Sequence, residues 1–180
     1  MVSFAGYLMP ISYSTIHDEY YAVRNRCGIF DVSHMGMIQI KGQDASNLIQ
    51  ALTVNDIQKI KANEAQYTAM CNQNGGFIDD LIVLKLSSLD YILIVNASNK
   101  TKVLNWINKN KNSHEFIINN MNENNSLLAL QGPTSRAVLE KMSDNNFQNF
   151  PFYKFKKIIL LGEEVILSRT GYTGELGYEI

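Results

Sequence analysis

The stretch Tyr67–Val83, YTAMCNQNGGFIDDLIV, constrains the fold more than any other part of the chain. Two apolar runs flank Asn72, Gln73, Asn74, Gly75 and Gly76. Asn and Gly tolerate positive φ at low cost, so this pattern predicts a β-hairpin closed by a short Gly-containing loop. The second strand carries two adjacent carboxylates, Asp79 and Asp80, and continues as Leu81, Ile82, Val83 and Leu84. Phe77 and Ile78 precede them, so the acids interrupt a run that is otherwise apolar on both faces, the pattern of a strand buried on both faces. Ionised carboxylates there are costly unless hydrogen-bonded or paired. Side chains alternate along a strand, so Asp79 and Asp80 point in opposite directions and do not share one proton as an acid/base dyad. In one reading, one acid satisfies backbone near the turn and the other faces a pocket. In the plainer reading, both sit in water at a strand end.

Composition removes several function classes. The chain has 180 residues, enough for one large domain or two small ones, and at 46% hydrophobic it can bury a sizeable core. Net charge is −1, and no basic stripe of the kind that binds nucleic acid through phosphates is present. Cys27 and Cys71 form no CxxC pair, so neither a zinc site nor a disulfide framework follows. Buried thiols in a reducing compartment are the expectation, with a single disulfide left open. No apolar run approaches ~20 residues, so no transmembrane helix is expected. The N-terminus lacks a signal-peptide pattern and is unlike an Arg-rich transit peptide.

Taken in order, residues 1–13 read as an extended aromatic segment. Thr15 caps a helix with Asp18 three residues on, Ile16, Tyr20, Val23 and Cys27 form its apolar face, and Gly28 closes it as a C′ residue. Ile29–Ile40 reads as strand up to Gly42. Asp44 caps a helix with Ala45, Leu48, Ile49 and Leu52 on one face. Residues 53–65 connect to the hairpin. Tyr91–Val95 is a strand, and a helix from about Asn99 presents Val103, Trp106 and Ile107. Phe116–Ile118 is a short strand, 119–125 an Asn-rich loop, and Leu127–Leu130 a strand stopped by Gly132 and Pro133. Thr134 caps a helix, residues 144–152 are irregular, and Ile158–Leu161 with Val165–Leu167 form a second hairpin around Gly162. Strand pairs with short turns, separated by helices, predict an α+β fold with antiparallel sheets and flanking helices. A soft boundary near residue 42 and another near 125 would give a β-rich subdomain over 43–125, inserted between outer segments.

Single residues give weaker signals. Gly171, Gly174 and Gly177 recur at steps of three, which is neither GxGxxG nor a Walker loop; close packing or tight turns are the expectation. They would frame Tyr172, Tyr178, Glu175 and Glu179, with solvent exposure the default for Glu179. His34 reads as structural, His17 as a surface residue and His114 as a loop residue. No metal-ligand spacing and no GxSxG elbow is present. Met35, Met37, Met70 and Tyr67 suit either an apolar slot for a flat ring or the core.

Together, FAGYLMP (Phe4–Pro10), GIFDVSHMG (Gly28–Gly36), the hairpin, VNASN (Val95–Asn99), LALQGP (Leu128–Pro133) and SRTGYTGELGYEI (Ser168–Ile180) resemble the aminomethyltransferase, or T-protein, family of the glycine cleavage system. The resemblance covers nearly the whole chain in family order. It implies a folate-binding aminomethyltransferase-like fold, in which tetrahydrofolate binds within a ring of three domains. It implies that Asp80 contacts the pterin and is the catalytic Asp, orienting the pterin and supporting N5. By the same resemblance Tyr67, Asn96, Tyr172 and Glu179 line the folate pocket, and Met35 and Ile82 supply apolar wall. Tetrahydrofolate is then the co-substrate, without a metal, and the partner is the lipoylated H-protein; neither nucleic acid nor membrane is involved. The implied location is the bacterial cytoplasm, or the mitochondrial matrix in a eukaryote.

The chain departs from the family in places. Tyr7 stands where Trp is usual, and Leu84 where an aromatic is often found. The family continues beyond Ile180 into a segment with a folate-contacting Arg and a C-terminal β domain. The resemblance thus implies a region incomplete at both ends over 1–180, and a fragment inactive alone. Two other readings share the fold: a tetrahydrofolate-dependent demethylase, and a non-enzymatic folate-binding protein of iron–sulfur assembly. The latter carries a Cys in KGCYxGQ, where this chain has Gly171 in RTGYTGE.

Overall fold

A computed structural model describes residues 1–111 and 115–180; His114 lies outside the described residues. The strands are β1 (Val2–Phe4), β2 (Tyr7–Met9), β3 (Gly28–Asp31), β4 (Gly36–Gly42), β5 (Glu64–Cys71), β6 (Phe77–Ser87), β7 (Asp90–Val95), β8 (Phe116–Asn120), β9 (Leu128–Gln131), β10 (Phe155–Leu160), β11 (Glu163–Ser168) and β12 (Gly177–Glu179). The helices are α1 (Ile16–Asn25), α2 (Ala45–Leu52), α3 (Lys100–Lys109) and α4 (Ser135–Met142). The strand pairings are antiparallel, as the α+β pattern requires. Residues Met35–Asn125 form one compact unit, the middle unit; Met1–His34 with Ser126–Ile180 form another, the terminal unit.

The middle unit is a sheet in the order β5-β6-β7-β4-β8. One face carries Ile38, Ile40, Leu81, Val83, Leu93 and Val95, which pack with Leu48 and Ile49 of α2 and Val103 and Ile107 of α3. Each such side chain contributes roughly 1.5–3 kcal/mol on burial. The opposite face is set by register. Tyr67 stands across from Ile82, Ile82 across from Ile94, and Ile94 across from Met37, so these four share a face. Asp80 lies two residues before Ile82 and joins them.

The hairpin loop forms as its residues dictate. Gly75 has φ +80, and the Asn72 side-chain oxygen accepts from the amides of Asn74 (2.9 Å) and Gly76 (3.0 Å). One feature was absent from the pattern. Met70 pairs with Asp79 but Cys71 pairs with Phe77, so Ile78 is an extra residue, a β-bulge. The bulge interrupts alternation: Ile78 and Asp79 are both buried, and Phe77 and Asp80 are both exposed.

The terminal unit holds the sheet β10-β11-β12-β9-β3 and the small hairpin β1-β2. Leu130, Leu139, Phe147, Leu167 and Tyr178 form its core. Leu161 (φ +52) and Gly162 (φ +90) make the two-residue turn between β10 and β11.

Several expectations change. Residues 1–13 are not simply extended; Ala5 and Gly6, both with positive φ, turn them into β1-β2. Thr15 does cap α1, accepting from the Asp18 amide at 3.1 Å. Helix α1 ends at Asn25 with Arg26 as its C-cap, and Gly28 opens β3 instead of serving as C′. No residue of α1 is buried, and Ile16 and Tyr20 of its apolar face are exposed. The strand read over 29–40 is two strands in different sheets. Asp31 accepts from the Ser33 amide at 3.0 Å, a local turn that splits the run. Asp44 makes no side-chain cap; its carboxylate accepts from the Glu115 amide at 3.0 Å. Thr134 likewise heads α4 without a side-chain cap bond.

Candidate functional site

The middle unit gathers Tyr67, Asp80 and Asn96 into one hydrogen-bonded group. Tyr67 Oη donates to Asp80 Oδ2 at 2.8 Å. The Asn96 side-chain amide lies 3.0 Å from Asp80 Oδ1, 3.0 Å from the Asp80 carbonyl oxygen and 2.9 Å from Asp79 Oδ1. The strands explain the meeting. Leu81 pairs with Val95, and Val95 with Gly36, so Asp80, Asn96 and Met35 stand at the same end of the sheet. The Met35 carbonyl accepts from Asn122 Nδ2 at 2.7 Å, which fixes the entry to β4. Ile82, half-buried, lies on the same face as Asp80.

Asp79 and Asp80 therefore take different roles. Asp79 is 4% exposed and faces inward. Its carboxylate accepts from the Asn96 backbone amide (2.8 Å), the Asn96 side chain (2.9 Å) and Asn99 Nδ2 (2.6 Å). It does satisfy backbone, but that of Asn96 after β7, not that of its own turn. Asp80 is exposed and lines a cavity of about 700 Å³. Val54, Tyr67 and Phe77 give that cavity apolar wall; Asn55, Asn99 and Lys102 add polar groups. Lys102 Nζ donates to the Ile78 carbonyl at 3.0 Å, at the bulge. The arrangement is an anionic acceptor beside aromatic and aliphatic surface, which suits a flat ring with a donor edge.

The terminal unit carries Tyr172 and Glu179. Tyr172 is fully exposed on the loop between β11 and β12. Glu179 is half-buried, against the default of full exposure. Burial raises its carboxyl above the ordinary value, and a hydrogen bond donated by Thr170 Oγ1 partly offsets this. Burial also raises the Tyr153 phenol, and the Glu179 charge adds to that shift.

Because the folded state holds the Glu179 proton more tightly than the unfolded chain, this group's contribution to stability falls as pH rises through the window above 4.5. Glu179→Gln is therefore expected to be more stable than the unsubstituted chain at pH 7. The difference should vanish below pH 4.5, as read by melting temperature against pH.

Gln131 organises the ending and was not singled out in the sequence. It is 1% exposed, its Nε2 donates to the carbonyls of Thr170 (3.3 Å) and Tyr178 (3.2 Å), and its Oε1 accepts from Thr173 Oγ1 (3.0 Å). A Cβ at Gly171 or Gly177 would fall 2.1 or 2.2 Å from Gln131 Oε1. Those glycines leave room for this side chain, whereas Gly174 serves its turn, at φ +75. Arg24 ties the same loop to α1, donating to the Thr173 carbonyl (2.7 Å) and pairing with Glu175 (2.9 Å). Among the described residues, no group of three or more His, Cys, Asp or Glu could hold a metal, and no helix is long and apolar enough to cross a membrane.

The family model described as the GCVT N-terminal domain matches residues 1–180. An aminomethyltransferase of Halothermothrix orenii is 46% identical over 180 residues, which is 100% of this chain and 50% of that protein. The crystal structure of the glycine cleavage system aminomethyltransferase T from Bartonella henselae superposes with a TM-score of 0.88 at 29% identity, over 99% of this chain and 48% of that one. The heterotetrameric sarcosine oxidase of Corynebacterium sp. U-96 shares the fold alone, with a TM-score of 0.64 at 17% identity over 91% of this chain and 80% of that one. The chain spans about half the length of the curated relatives it matches. Since one family model takes in all of its residues, and a relative nearly half identical matches from end to end, the chain belongs to the GCVT N-terminal domain family.

Proposed function

We propose that this chain forms the tetrahydrofolate-binding part of an aminomethyltransferase of the glycine cleavage system. One observation carries the reading: Asp80 is held from behind and open in front. Tyr67 takes one carboxylate oxygen and Asn96 the other. Each oxygen keeps acceptor capacity, so Asp80 can receive two more hydrogen bonds from the donor edge of a pterin. Met35 and Ile82 would supply apolar wall to the ring.

In that reading Asp80 orients the pterin so that N5 faces the incoming one-carbon unit, and its charge stabilises the positive charge that develops there. The overall transfer takes the aminomethyl group from the lipoyl arm of H-protein. It releases ammonia, returns the arm's thiol and gives 5,10-methylenetetrahydrofolate. The iron–sulfur reading needs a cysteine at position 171, where a Cβ meets Gln131 at 2.1 Å.

The test is calorimetric titration of this chain with tetrahydrofolate under anaerobic conditions. Saturable binding with a dissociation constant below about 1 mM is expected, with none for p-aminobenzoylglutamate, which lacks the pterin. Equal binding of both, or of neither, would contradict the reading.

A further inference from the structure

We infer that Asp79 is a positioning residue for Asp80, acting through the Asn96 side chain. This rests on the folate role proposed for Asp80. The geometry is a relay of fixed groups. Asp79 is buried, and its charge is balanced by three N–H donors, two of them from Asn96. A carboxylate has only acceptors, so it dictates which end of the Asn96 amide it meets: the nitrogen. The same nitrogen then reaches Asp80 Oδ1 at 3.0 Å. Asp79, together with the Asp80 main-chain carbonyl 3.0 Å from the same nitrogen, thus sets the amide orientation that places a donor, not an oxygen, against the Asp80 carboxylate.

The second anchor is local. The Asn96 backbone amide also donates to Asp79, at 2.8 Å, and Asn99 Nδ2 closes the cluster from the turn entering α3 at 2.6 Å. Regular alternation back from Leu81 points Asp80 outward and Asp79 inward, and the bulge buries Ile78 next to Asp79. Without the extra residue, Ile78 and Asp79 could not both face the core. The adjacent acids in the sequence are therefore a binding carboxylate and its support, not two ligands for one substrate.

An amide in place of the Asp79 carboxylate would offer its own N–H groups to Asn96. Asn96 would then satisfy itself by turning its oxygen inward or toward Asp80, where two acceptors would oppose each other. Asp79→Asn is expected to weaken tetrahydrofolate binding about tenfold, and Asn96→Ala by a similar factor. If Asp79 acts through Asn96, the double variant binds within about twofold of Asn96→Ala. A merely structural role would instead multiply the two losses to about a hundredfold.

The experiment is this double-mutant cycle, read by calorimetry, with the Asn96 side-chain amide signals followed by ¹⁵N NMR in the same samples. Displaced Asn96 signals in Asp79→Asn, with a non-additive cycle, support the inference. Unchanged signals, unchanged affinity or multiplied losses overturn it. Should Asp79→Asn not fold, Asp79→Glu, which keeps the charge but shifts it by one methylene, is read by the same cycle. If the unsubstituted chain binds no tetrahydrofolate, the folate reading fails by itself. The NMR arm then decides the positioning claim: displaced Asn96 signals keep it, and unchanged ones end it.

Discussion

Asp80→Asn in a full-length aminomethyltransferase with this chain as its N-terminal half is expected to lower turnover by about 100-fold or more. The substitution keeps size and shape, and the Tyr67 hydroxyl can still find an oxygen. Two things are lost. A pterin donor edge meets an amide that can match only one of its hydrogen bonds, and the charge beside the reacting nitrogen disappears. Asp80 is exposed, so the fold should survive and the melting temperature should change little. Steady-state turnover at saturating tetrahydrofolate, measured with the melting curve, separates a chemical loss from a folding loss. Turnover within about threefold of the unsubstituted enzyme would remove Asp80 from the mechanism.

The second large effect is on stability. Gly177→Ala is expected to destabilise the chain by roughly 3–5 kcal/mol. The added Cβ would lie 2.2 Å from Gln131 Oε1 and 2.3 Å from its Cδ, so the Gln131 side chain must leave. Its departure leaves the Thr170 carbonyl without this donor and takes one hydrogen bond each from the Tyr178 carbonyl and the Thr173 hydroxyl. Each unsatisfied group costs about 1–3 kcal/mol. Urea unfolding measures the loss as a shifted midpoint at constant slope. Adding Gln131→Ala relieves the collision, so the double variant should be less destabilised than the sum of the two single changes. Simple additivity would mean that Gly177 matters for some reason other than space.

Local chemistry was legible and long-range pairing was not. The Thr15 cap, the Asn72–Gly76 turn and the Gly162 turn depend on neighbours in sequence, and each forms where the pattern puts it. The run over 29–40 reads as one strand because periodicity cannot say which sheet a strand joins. Pairing with β9 claims Gly28–Asp31, and pairing with β7 and β8 claims Gly36–Gly42. Helix α1 has the spacing of a core-facing helix, yet Ile16 and Tyr20 stay exposed, since spacing gives a stripe but not what it packs on.

For the site, alternation correctly separated the directions of Asp79 and Asp80. The bulge at Ile78 was invisible, because an extra residue leaves no mark on composition or period. The grouping of Tyr67, Asp80 and Asn96 came only through the family resemblance, being a product of register between β5, β6 and β7. Gln131 went unnoticed because its signal was divided: a buried amide in one segment, and glycines 40 and 46 residues further on.

The most direct test of the account is carboxyl-detected ¹³C NMR of this chain during titration with tetrahydrofolate. With Asp80 gripping the pterin, its side-chain carboxyl signal moves in step with binding, while those of Asp56 and Asp90, which do not line the cavity, stay in place. Binding that leaves the Asp80 signal unmoved would contradict it.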